Sequence, residues 1–133
     1  MNHNKAFDFR YFWPALLWAI FVFVLSALPG NAFPRINGFW DWLGPDKAIH
    51  LLFYGFLSYL LLRGFYRQYG SAVKRFYPEA VALLTGTVFG ILMEVMQHFV
   101  FTGRDGNIYD ALANTMGCLF GIMIFKLVKR KKD

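Results

Sequence analysis

The chain lacks most of what a water-soluble enzyme of its size would use. It has one cysteine, Cys118, so it can form neither an internal disulfide nor a cysteine-rich metal site. Buried packing is the ordinary role for such a residue. Charged residues make up 17% of the sequence, against about 25% in soluble domains. Only 8 of the 133 residues are acidic. No Ser-His-Asp order, phosphate-cradling glycine loop or redox cysteine pair occurs. There is no internal repeat and no low-complexity segment.

Apolar and aromatic residues fill the space. Hydrophobic residues make up 57% and aromatics 20%, including 16 Phe and 4 Trp. A soluble domain this small could not hide that surface. The length fits one domain covering residues 1–133. The net charge of +6 would elsewhere suggest nucleic acid. Here the basic residues sit in clusters between apolar runs, which points to a membrane and to no nucleic-acid partner.

Four apolar runs are spans of an all-α integral membrane bundle, at roughly residues 11–28, 47–66, 80–101 and 110–128. A crossing helix needs about 20 residues, with a range of about 17 to 25. The first run, Tyr11 to Leu28, has no charge, and Leu28-Pro29-Gly30 is a poor cleavage site. It reads as an uncleaved helix, with Pro14 near its start where a helix tolerates proline. In the second, Lys47 and Arg63 flank the uncharged core and snorkel outward.

Of the 14 Lys and Arg residues, all but Arg35, Lys47 and Arg104 fall in the N-terminal segment, the loop after span two and the C-terminal tail. Both termini are therefore expected in the cytoplasm, by the positive-inside rule. Asp41, Asp46, Glu94, Asp105 and Asp110 gather at the other end. Acidic residues contribute little to topology, so their grouping needs another cause.

Span two opens with Asp46, Lys47 and His50, followed by Tyr54. Asp46, His50 and Tyr54 share one helical face at i, i+4 and i+8. Pro45 and Asp46 read as a helix start, with Asp46 as cap. A cap, a snorkelling lysine and an interfacial histidine would also account for these residues. Span three carries Gly86, Gly90, Glu94 and Gln97 as one stripe. Glu94 falls roughly 10 Å below the outer end. An ionisable group at that depth costs on the order of a few kcal/mol unless paired, and by default marks a functional site. A structural hydrogen bond between two helices is the plainer alternative. Span four brings Asp110, Asn114, Gly117 and Gly121. The glycines of both spans suit close helix contact. The turn-rich loop from Thr102 to Asn107 makes spans three and four a hairpin. Glu94 and Gln97 can then face Asp110 and Asn114, with Arg104 folded back over them. His98 follows Glu94 by four residues, but one such pair is too weak a pattern for zinc. No metal and no cofactor is expected.

The string Asp46-Lys47-Ala48-Ile49-His50-Leu51-Leu52-Phe53-Tyr54 resembles the DKxxHxxxY signature of the VanZ-like family. Glu94-Val95-Met96-Gln97, with Arg104, Asp110, Asn114 and Gly117, is similar to that family's ExxQ, Arg, Asp, Asn, Gly order. The resemblance implies a multi-pass protein of the bacterial cytoplasmic (inner) membrane. The family takes its name from a glycopeptide-resistance component linked to teicoplanin.

Two functional classes fit the constellation. One is an intramembrane enzyme acting on a lipid-linked or phosphorylated envelope substrate. Lys47 and Arg104 would bind the anion, with Tyr54, Gln97 and Asn114 completing the substrate site. His50 would be the acid or base, and Glu94, Asp110 and Asp46 its catalytic partners. The other is a non-enzymatic factor binding membrane lipid, an envelope precursor or a lipoglycopeptide antibiotic. A structural or assembly role is a third reading, and unused glycine faces allow oligomerisation.

Overall fold

The computed structural model describes residues 7–29, 45–101, 103 and 106–131. All regular structure among them is helical. Four α-helices follow in order: α1 (Trp13–Ala27), α2 (Pro45–Tyr69), α3 (Pro78–Phe99) and α4 (Ile108–Arg130). A 3-10 turn, Phe9–Tyr11, precedes α1, and a second, Gly70–Phe76, joins α2 to α3. α2, α3 and α4 are long and apolar enough to cross a membrane, whereas α1 is a shorter apolar helix of 15 residues.

The helix ends depart from the sequence expectation in a consistent way. α2 and α4 continue to Tyr69 and Arg130, because Arg, Lys and Gln are good helix formers and nothing stops the helix where the apolar run ends. Asp46 lies inside the first turn of α2 rather than at its cap. Pro45 takes the first helical position, where its missing N–H costs nothing. α1 loses the start of its run to the 3-10 turn and begins just before Pro14. The stretch expected as a loop after Tyr66 is mostly 3-10 helix. It is entered at Gly70, whose φ of 54° suits a residue without Cβ.

α2 is the hub. It packs most extensively on α4, and also contacts α3 and α1. The α2–α4 contact is backbone on backbone. A Cβ on Gly121 would run into the Gly55 carbonyl, and one on Gly117 into the backbone of Leu51. Such approach suits membrane helices, which associate through packing and hydrogen bonds rather than through a hydrophobic drive. Ser58 fastens the seam by sharing its one hydroxyl proton between the carbonyls of Cys118, at 2.9 Å, and Gly55, at 3.1 Å. Ser58→Ala should lower stability by about 0.6 to 1.7 kcal/mol. A shift in the SDS-unfolding midpoint, read by labelling of the buried thiol of Cys118, would measure it.

α3 meets α4 at Gly86 and Gly90, where a Cβ would press on the side chains of Cys118 and Asn114. α1 joins through Trp18, whose indole N–H donates to the Phe53 carbonyl at 2.9 Å. Its ring packs edge-on against Phe53 and Phe56. Outward faces stay apolar: Leu17, Leu84, Leu92, Leu112 and Leu127 are each more than half exposed. Water would oppose such a surface, and a lipid environment would accept it.

Candidate functional site

The start of α2, the end of α3 and the start of α4 meet at one end of the bundle, and they bring their polar residues together. His50 stands at the centre. Its Nδ1 lies 2.9 Å from Asn114 Oδ1 on α4. A carbonyl oxygen only accepts, so Nδ1 is the donor. In the neutral ring this leaves Nε2 with the lone pair, facing Asp46 Oδ1 at 3.7 Å. The same ring lies 3.8 Å from Glu94 Oε1. The Tyr54 ring runs nearly parallel to it at a centroid distance of 6.4 Å.

Exposure grades across the cluster. The side chains of Asp46 and Lys47 are 59% and 44% exposed, that of His50 is 12%, and those of Glu94 and Asp110 are 8% each. The site thus has a polar mouth on α2 and a buried floor on α3 and α4. Lys47 Nζ reaches inward to Asp110 Oδ1 at 3.7 Å. Asp110 also occupies the first turn of α4, where the helix dipole favours a negative charge.

Part of the floor is set by a group that side-chain reasoning missed. The backbone N–H of Asn107 donates to Glu94 Oε2 at 3.0 Å. The Asn107 side chain caps α4 by accepting from the Tyr109 N–H at 2.9 Å. Asn ahead of an apolar helical run is a readable cap signal. Its backbone bond to Glu94 has no signature in sequence. Gly106 lets the loop lie against the Glu94 carbonyl and His98, where a Cβ would clash.

Not every candidate enters the cluster. Gln97 is buried, and its amide donates to the Ser26 carbonyl of α1 at 3.4 Å. That bond ties α3 to α1. Arg104 lies outside the described residues, as do Asp41 and Asp105. His98 is exposed and packs edge-on against Phe99. Asp46, His50 and Asp110 offer ligand atoms within 4.8 Å of one another. Lys47 already places a positive charge on the same Asp110 carboxylate, and a divalent ion there would face that ammonium.

Among the described residues, five buried polar atoms have no hydrogen-bond partner: Tyr54 Oη, Glu94 Oε1, Asp110 Oδ1 and Asn114 Nδ2 in the cluster, and Thr87 Oγ1 elsewhere on α3. Glu94 Oε1 and Asp110 Oδ1 make only the longer ion-pair contacts above, while Glu94 Oε2 accepts from Asn107. The VanZ/LLP1 family model matches residues 9–129, nearly the whole chain. The chain belongs to the VanZ/LLP1 family. No curated protein and no solved structure shows significant similarity to it. The match takes in α1 to α3, α4 up to Lys129, and every residue of the cluster in this VanZ/LLP1 protein.

Proposed function

We propose that the chain crosses a bacterial cytoplasmic membrane with four helices, both termini on the cytoplasmic side. In this reading its polar cluster works as an intramembrane enzyme on a lipid-linked or phosphorylated envelope substrate in the outer leaflet. The unpartnered buried atoms carry the proposal. An interhelical lock gains by saturating its polar groups, and each one left open costs about 1–3 kcal/mol. A substrate with hydroxyl and phosphate oxygens offers what this floor lacks. Its oxygens accept from Asn114 Nδ2 and the Tyr54 hydroxyl, and its hydroxyls donate to Glu94 and Asp110.

The chemistry follows from the graded geometry. Lys47 at the mouth pairs with a phosphate. His50 Nε2 takes the proton of an attacking hydroxyl while Asn114 holds the tautomer. The new P–O bond forms as the bond to the leaving oxygen breaks. The imidazolium then returns its proton to that oxygen. Asp46, beside Nε2, balances the transient positive charge.

Mass spectrometry of lipids co-purified with wild type and with Glu94→Gln tests the reading. The variant should retain a phosphorylated or polyprenyl lipid that the wild type turns over. Equal retention of one lipid by both would replace catalysis with simple binding. No specific lipid in either would leave the cluster a structural lock.

A further inference from the structure

The opposite, basic end of the bundle holds a cavity with a different lining. A cavity of about 130 Å³ opens between the 3-10 turn, the start of α1 and the last turns of α2. Arg10, Arg63, Arg67, Tyr11, Trp13 and Leu60 line it. At about 30 Å³ per water in the liquid, the space suits one compact polar group. Arg63 and Arg67 are one helical turn apart, a like-charge spacing that is mildly unfavourable on its own. Among the described residues neither has a carboxylate partner at ion-pair distance.

The third guanidinium is held in place. The Asp8 N–H donates to the buried Gln68 of α2 at 3.0 Å. Asp8 grips Arg10 through Nε and Nη2, at 2.9 to 3.1 Å. The Arg10 guanidinium in turn holds the Asp8 carboxyl below its ordinary range. Phe12 packs between Phe7 and Phe65. Gly64 admits the Phe12 ring and the Tyr11 carbonyl, which any side chain there would displace. Three arginines against one aspartate leave the cavity strongly positive. Trp13 and Tyr11 are of the type found at headgroup level. Directly along α1, Leu16 and Leu17 are about half exposed and offer an apolar track for an acyl chain.

We propose that this cavity binds the phosphate diester of an anionic phospholipid in the leaflet at the basic end. Guanidinium forks match phosphate oxygens in pairs, and the apolar track favours a lipid over free phosphate. The site rests on the membrane reading and is independent of any chemistry at His50.

Native mass spectrometry of the delipidated full-length protein, titrated with phosphatidylglycerol or phosphatidylcholine, tests it. Wild type should bind phosphatidylglycerol at least about tenfold more tightly. Arg63→Gln/Arg67→Gln should abolish that preference and leave phosphatidylcholine binding unchanged. Lys129→Gln/Arg130→Gln, on the same end but outside the cavity, should keep it. An equal loss in that control would reduce the effect to diffuse charge and overturn the site. Displacement of the lipid by equimolar inorganic phosphate would overturn the lipid assignment. Should the glutamine pair fail to fold, Arg63→Lys/Arg67→Lys keeps the charge and removes the forks. It should weaken binding severalfold, and wild-type affinity in that variant would overturn the proposal.

Discussion

Gly121→Leu should part α2 from α4 and cost more than about 3 kcal/mol, above the usual 1–3 kcal/mol for overpacking. The added carbons would meet the Gly55 carbonyl and the Ser58 hydroxyl. A side chain could turn aside, but a helix backbone can yield only by moving the whole helix. The contact at stake is the most extensive in the bundle. Separation would also break the bond from Ser58 to Cys118. The single thiol reports the result directly, since Cys118 is fully buried in the native fold. In mild detergent, wild type should resist maleimide and Gly121→Leu should label rapidly. Phe120→Leu, on the neighbouring exposed position, should behave as wild type. Slow labelling of Gly121→Leu would mean that the α2–α4 seam is looser than its backbone contacts indicate.

On the proposed enzymatic reading, His50→Ala should reduce turnover by about 10²- to 10⁴-fold, the usual contribution of a general acid–base group. The assay is conversion of the lipid retained by Glu94→Gln, followed in proteoliposomes. His50→Asn separates chemistry from architecture. Its Nδ2 takes the place of the imidazole Nδ1 and can still donate to Asn114 Oδ1, but it offers no base. Equal loss in both variants, with Cys118 still protected, supports acid–base chemistry at Nε2. Activity restored by asparagine would make His50 an anchor for Asn114 instead.

The two expectations draw on different parts of what the sequence carries. The cluster's membership was legible in part because helical spacing is rigid. Asp46 and His50 stand four apart, and the structure leaves them 3.7 Å from one another. The short connection between α3 and α4 forces a hairpin, which brings Glu94 and Asp110 to the same end as His50. What stayed hidden depends on rotation about the helix axis and on backbone groups. Gln97 follows Glu94 closely on α3, yet its amide bonds to α1 at Ser26. The N–H from Asn107 to Glu94 belongs to no side chain. Gly55 and Ser58 carry the α2 side of the main seam, although the glycines of the other two helices were the conspicuous ones. Helix ends were the least legible, because Arg, Lys and Gln extend a helix as readily as apolar residues do.

The shortness of α1 has a consequence for the surrounding bilayer. Its 15 residues span roughly 22 Å at 1.5 Å per residue, and the uncharged stretch of α2 between Lys47 and Arg63 is as long. An ordinary hydrocarbon core is about 30 Å thick. In the proposed four-span arrangement, the mismatch along this side is relieved when the bilayer thins locally. Headgroups of one leaflet then dip toward Lys47 and His50, and those of the other toward Arg63 and Arg67. A dimple of this kind shortens the path a lipid-borne phosphate must travel to reach a site below the normal surface. On that reading, acyl-chain length of the host membrane becomes a control on access to the cluster, with thicker bilayers holding the proposed substrate further from His50.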